Sequence, residues 1–128
     1  MKLLIDTHAL LWFATDDRRL SQRAESLMRD SHNELIFSVA SIWEIVIKVQ
    51  KGLLKLNAPP PRWLRENLGI LGARTLPIRS KHALRILRLP LHHRDPFDRL
   101  IIAQADVESM TVLSRDAILS SYPIKVMW

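Results

Sequence analysis

No cysteine occurs among the 128 residues, which excludes a disulfide frame, a thiolate zinc site and a cysteine nucleophile. No apolar stretch approaches the roughly 20 residues that a membrane helix requires, so no contact with a membrane is expected. The opening Met1-Lys2-Leu3-Leu4-Ile5 imitates the start of a signal peptide, but Asp6 interrupts it and no small-residue cleavage site follows. Export is therefore not expected, and the chain reads as cytoplasmic. Acids are nearly missing from the middle of the chain: between Ile45 and Arg94, Glu66 stands alone against eleven lysines and arginines. Internal repeats and low-complexity segments are also missing.

What is present is enough for one compact unit, residues 1–128, with 48% apolar residues to build a core. The net charge of +6 is concentrated in the acid-poor middle. A basic surface around an acidic pocket fits a phosphodiester polymer, whose backbone is held by charge while chemistry is done at one phosphate. The same charges also fit an ordinary solvated face or an acidic protein partner.

Along the chain, short apolar runs alternate with helix-compatible ones. Lys2 to Ile5, Leu35 to Phe37, Thr75 to Ile78, Thr111 to Leu113 and Ile124 to Met127 read as strands, the third placed at an edge or strand end by Pro77. Helices are expected over Thr7 to Ala14, over Ser21 to Asp30, from a Ser38 cap to a stop at Gly52, around Trp63 to Leu68 after Pro59-Pro60-Pro61, over Ser80 to Leu87, and from Pro96 onward. Such alternation predicts an α/β fold with a mainly parallel sheet covered on both faces.

Four acids sit at handovers between these runs: Asp6, Glu44, Asp98 and Asp116. Loops leaving the carboxyl ends of parallel strands converge on one crevice, where distant carboxylates meet. Clustered carboxylates repel one another, and a divalent cation relieves that repulsion. Each acid taken singly also has a structural explanation. Asp6 and Asp116 are placed to cap turns, and Glu44 with Ser41 and Asp98 with Asp95 are spaced as capping boxes. Caps alone would not require all four at one end of the sheet.

Leu4-Ile5-Asp6-Thr7-His8, Ser41-Ile42-Trp43-Glu44-Ile45, His93-Arg94-Asp95-Pro96-Phe97-Asp98-Arg99 with Ile101-Ile102-Ala103-Gln104-Ala105, and Leu113-Ser114-Arg115-Asp116 follow one another in order across nearly the whole chain. Together they resemble PIN-domain ribonucleases, and more narrowly the VapC-type toxins of toxin-antitoxin pairs. The resemblance implies a three-layer α/β/α sandwich and an acidic pocket holding Mg²⁺, with Mn²⁺ as a substitute. It also implies metal-dependent endoribonuclease activity on RNA, neutralisation by a cognate antitoxin protein, and a homodimer. Asp6, Glu44 and Asp98 match the family's three principal acids and Asp116 a more variable fourth, so all four are expected to be catalytic and metal-binding. Asp95 is read as a helix cap, and Ser114 as a hydroxyl supporting the fourth acid. Arg94, Arg99 and Arg115 flank the acids and are the candidates for holding the substrate phosphate.

Three alternatives follow from other features. A two-histidine acid-base mechanism would need His92 and His93 to converge, whereas adjacent loop residues usually point apart. A phosphate-accepting receiver domain needs an acceptor Asp after the third strand, where Pro77-Ile78-Arg79 offers none. A catalytically inactive PIN-like module that binds RNA or protein would predict a degraded acidic set, and here all four acids are present. The tryptophans Trp12, Trp43 and Trp63 read as core or interface residues, while Trp128 has no evident place.

Overall fold

A computed structural model describes residues 1–128. Strands β1 (Lys2–Ile5), β2 (Glu34–Ser38), β3 (Arg74–Leu76), β4 (Thr111–Leu113) and β5 (Val126–Met127) form one sheet in the order β3-β2-β1-β4-β5. Every pairing is parallel. Helices α1 (Thr7–Ala14), α2 (Gln22–Arg29), α3 (Val39–Gln50), α4 (Pro60–Leu71), α5 (Ser80–Arg85) and α6 (Pro96–Glu108) supply the crossovers, and tight single helical turns cover Ile86–Arg88 and Ala117–Ser121. No helix is long and apolar enough to cross a membrane.

The strands read as continuous apolar runs because both faces of the sheet are covered. Side chains of a strand point alternately to its two faces, and the core divides accordingly. Leu3, Ile5, Leu35, Phe37 and Leu113 pack in one cluster with Ala9, Leu10, Met28, Trp63 and Leu68 from α1, α2 and α4. Leu4, Ile36 and Val112 pack in a second cluster with Ile101, Ile102 and Ala105 of α6. This is the expected three-layer α/β/α sandwich.

Local chemistry sets the helix ends. Ser21 accepts from the backbone N–H of Ala24 at 2.9 Å and Ser38 from that of Ala40 at 3.0 Å. Pro60 and Pro61 open α4, where a missing N–H costs nothing, and Gly72 closes it at φ 62°, a left-handed conformation that glycine adopts without strain. Pro77 ends the edge strand β3 two residues early, at Leu76, so Ile78 lies outside it. β5 is likewise shorter than its apolar run, beginning at Val126.

The order of the strands positions the site. From the central strand β1 the chain steps to β2 and β3 on one side, then crosses to β4 and β5 on the other. The loops leaving β1 and β4 therefore diverge and open a crevice at their carboxyl ends, the usual ligand position in such sheets. Ile5 is in register with both Phe37 and Leu113, so Asp6 and Ser114 leave the sheet at the level of Ser38, the last residue of β2.

Candidate metal centre

Asp6 follows the last residue of β1 and stands at the cap position of α1, yet its side chain makes no capping hydrogen bond. Instead Ser114, two per cent exposed at the end of β4, donates its hydroxyl to Asp6 Oδ2 at 2.6 Å. The same hydroxyl accepts the backbone N–H of Asp116 at 3.1 Å, which ties the turn after β4 to the end of β1. Ser114 thus supports the first acid through its proton and the fourth through its lone pair.

Glu44 projects from the second turn of α3 and is seven per cent exposed. The capping box with Ser41 does not form: Ser38 caps the helix, and the Ser41 hydroxyl is buried without a partner. Glu44 pairs with Lys48 one turn on, Nζ to Oε2 at 3.2 Å. Asp98 lies in the first turn of α6, where Asp95 alone is the cap, accepting from the N–H groups of Phe97 at 2.8 Å and Asp98 at 3.3 Å. The Trp43 and Phe97 rings, each next to an acid in sequence, meet edge to face at 5.3 Å and bring the start of α3 against that of α6.

The carboxyls feel one another. Asp98 is pushed up to about 7, first by burial, then by the negative charges of Asp95 and Asp6, with His93 opposing and Glu44 adding to the rise. Burial also raises Asp6, against the Ser114 hydrogen bond and His8, with the charge of Glu44 adding to the rise. Asp6, Glu44 and Asp98, distant in sequence, thus share one electrostatic environment. An all-oxygen donor set of mutually repelling carboxylates, Glu44 buried and Asp6 and Asp98 partly so, suits a hard dication, which offsets the like charge that adds to the rise of Asp98.

Asp116 caps the turn that follows it, accepting the N–H of Ile118 on Oδ1 at 3.0 Å. His93 was not anticipated here. Its Nε2 lies 3.1 Å from Asp116 Oδ2 and 3.0 Å from Asp98 Oδ2, so the three side chains offer ligand atoms within 4.8 Å of one another. His92 turns away and meets the Tyr122 ring edge on at 5.2 Å. The two imidazoles therefore do not form an acid-base couple.

The three flanking arginines differ. Arg99 donates to the carbonyl oxygens of Pro90 at 3.0 Å and Ile86 at 3.2 Å and reaches the Tyr122 hydroxyl at 3.4 Å. These three acceptors hold its guanidinium against the turn before α6. Arg94 is exposed and pairs with no acid. Arg115 lies 5.9 Å from the Trp12 ring centre and, with Asp6, His8, Trp12 and Asp116, lines a cleft of about 250 Å³. Trp128, which had no evident place in the sequence, packs edge to face on Trp12 at 5.8 Å. A second groove of about 550 Å³ shares His8 and Trp12 with this cleft and continues past Lys48 and Lys55.

Comparison with known proteins places the sequence and the fold. The chain is 27% identical over 121 residues to Ribonuclease VapC22 of Mycobacterium tuberculosis (strain ATCC 25618 / H37Rv), covering 94% of this chain and 91% of that one. Its fold is similar to that in VapBC2 from Rickettsia felis bound to a DNA fragment from their promoter, with TM-score 0.70, 14% identity and coverage of 99% and 98%. DNA-bound VapBC from Salmonella typhimurium has TM-score 0.70, 15% identity and coverage of 99% and 97%. A toxin-antitoxin complex from Klebsiella pneumoniae has TM-score 0.64, 19% identity and coverage of 98% and 96%. The PIN domain family model matches residues 3–125, and the chain belongs to that family.

Proposed function

We propose that this protein is a metal-dependent endoribonuclease that hydrolyses RNA phosphodiester bonds, acting as the toxin of a toxin-antitoxin pair. The observation that carries this reading is the shared environment of Asp6 at the end of β1 with Glu44 of α3 and Asp98 of α6, where burial and like charge raise the Asp98 carboxyl to about 7. Asp6, Glu44 and Asp98 would hold Mg²⁺, or Mn²⁺ in its place, with Asp116 beside them. When bound, such an ion lowers the pKa of water and offsets negative charge on the phosphate under attack.

The chain's own residues supply the rest. Ser114 fixes the Asp6 carboxylate, Lys48 steadies Glu44 across one helical turn, and Asp95 holds the first turn of α6 so that Asp98 faces the crevice. Arg115 and Arg94 counter the repulsion between carboxylates and an approaching phosphate. One domain spanning residues 1–128 carries this activity in the cytoplasm. The relatives solved as toxin-antitoxin complexes support an antitoxin partner. The groove past Lys48 and Lys55, lined also by Leu11, Leu54 and Leu56, suits an amphipathic acidic segment of such a partner. Leu84, Leu87 and Leu91, each more than 60% exposed, offer an apolar surface for a second copy of the chain.

The test is cleavage of RNA by purified protein with Mg²⁺, against Asp6→Asn and Asp98→Asn. Each variant should lose more than the roughly 100-fold that removal of a ligand's outer partner costs. RNA binding without cleavage by the unaltered protein would favour the inactive PIN-like module instead.

A further inference from the structure

We propose that Trp12, with His8 and Arg115 beside it, forms a nucleotide subsite next to the acids, in which the indole stacks on one base of single-stranded RNA. This rests on the nuclease reading above and names how that site holds its substrate.

Helix α1 begins directly after Asp6, so one of its faces starts at an acid. His8 and Trp12 are four residues apart and lie one above the other on that helix. At the rise of an α-helix, Trp12 stands about 9 Å along the axis from Asp6, on the scale of a single nucleotide. Both side chains line the cleft of about 250 Å³ that Asp6, Arg115 and Asp116 also line. Their rings lie 5.5 Å apart and tilted at 37°, so neither is stacked flat on the other. A phosphate at the carboxylates therefore has an aromatic surface within reach of its own base or the adjoining one.

Trp12 is a fixed platform. It packs beside the core cluster under α1, and Trp128 braces it edge to face at 5.8 Å, while part of the ring stays exposed. A ring held in place before any ligand arrives loses little freedom on stacking. Two cations attend it, and they differ. Arg19 lies 4.9 Å from the ring centre but is held by Asp17, Nη2 to Oδ2 at 2.8 Å and Nε to Oδ1 at 3.1 Å. Arg115, exposed and 5.9 Å away, makes no ion pair and no side-chain hydrogen bond. It is free to exchange the ring for a phosphate while a base settles against the indole. An aromatic face beside an arginine suits single strands, because every base has a π-face, whereas a paired helix keeps its bases stacked inside. His8 and Trp12 also line the larger groove past Lys48 and Lys55, so the subsite lies where cleft and groove meet.

Single-stranded RNA that the full chain cleaves with Mg²⁺ tests this, in a series where each nucleotide around the cut in turn keeps its ribose and loses its base. At one position adjoining the cut, base removal should raise KM roughly 5- to 100-fold, the worth of one stacked base, with kcat little changed. Trp12→Ala should cleave intact and baseless RNA alike at that position, and Trp12→Phe, which keeps an aromatic face, should restore most of the difference. In EDTA, where nothing is cut, adding the RNA should quench the indole emission of the unaltered protein and that of Trp12→Phe much less. Indifference of the unaltered protein to base removal at every position would overturn the subsite, as would a Trp12→Ala protein that discriminates as the unaltered one does. Either result leaves the nuclease reading intact and the cleft to another occupant, such as an antitoxin segment. If no RNA is cut, the nuclease reading fails and the quench decides: its presence keeps a base-binding cleft, and its absence removes the subsite as well. Thermal melts separate these outcomes from failure to fold, and the base-removal series on the unaltered protein needs no variant.

Discussion

Replacing Asp98 by asparagine should stabilise the metal-free protein in neutral and alkaline solution, although it destroys the site. In the folded chain this carboxyl titrates at about 7, against an ordinary value of 3.8. Below pH 4 the group is neutral in both folded and unfolded chains and contributes nothing. As the pH rises from 4 to 7 the unfolded chain gives up the proton and the folded one keeps it. The folded state is thus progressively disfavoured, and the cost is constant above pH 7. At full value the shift corresponds to roughly 4 kcal/mol. With 28% of the side chain exposed, solvent screening reduces it to about 2 kcal/mol. For a chain of this size that is a Tm difference of roughly 5 to 10 °C. Melts in EDTA should therefore show Asp98→Asn close to the unaltered protein near pH 4 and clearly above it at pH 8. Saturating Mg²⁺ at pH 8 should close the gap, since an ion bound only by the folded protein stabilises it. An Asp98→Asn protein that melts at or below the unaltered one at pH 8 in EDTA would refute the account of a strained acidic cluster.

Other substitutions probe the supports. Ser114→Ala removes a hydrogen bond to a charged oxygen, so Mg²⁺ affinity should fall several-fold and stability by roughly 1.5 to 3 kcal/mol, read by calorimetry and urea melts. Asp95→Ala strips the cap of α6 and should cost about 1 kcal/mol in urea unfolding, with reduced nuclease activity because Asp98 sits in the released turn. Gln104→Leu leaves the fully buried Ser38 hydroxyl without its 2.5 Å acceptor and the Pro77 carbonyl without a donor. A loss of about 2 to 3 kcal/mol is expected by the same urea assay.

The frame of the fold is legible in the sequence because strands buried on both faces betray themselves as apolar runs. Lys2–Ile5 and Thr111–Leu113 have the expected bounds, and the Asp95-Pro96 start of α6 follows from the chemistry of the first helical turn. Edges are less legible. Ile78 and Ile124 extend apolar runs but fall outside the ladder, since an edge strand ends where its single neighbour ends. Of the site, the carboxylates can be picked out because acids at strand-to-helix junctions are conspicuous, and Lys48 stands one helical turn from Glu44. The place of His93 depends on the turn at Asp95 that points a backbone N–H into the ring, which no spacing rule reveals. Gln104 is similarly hidden: a polar residue in an apolar helix register, its partners Ser38 and Pro77 lie far off in sequence. The contacts of Arg99 with the Pro90 and Ile86 carbonyls are hidden too, because adjacency to an acid in sequence says nothing about which way its long side chain turns.

The bond from Ser114 to Asp6 has a consequence for the growing polypeptide. Asp6 is synthesised about a hundred residues before the strand that flanks it and the hydroxyl that steadies it, which belong to residues 111–114, and the fourth acid comes later still. A ribosome that has reached residue 100 has produced β1, β2 and β3, and still lacks the neighbour on the other side of β1. On the proposed reading, a half-made chain has no assembled cage and poses no threat to the message from which it is being translated.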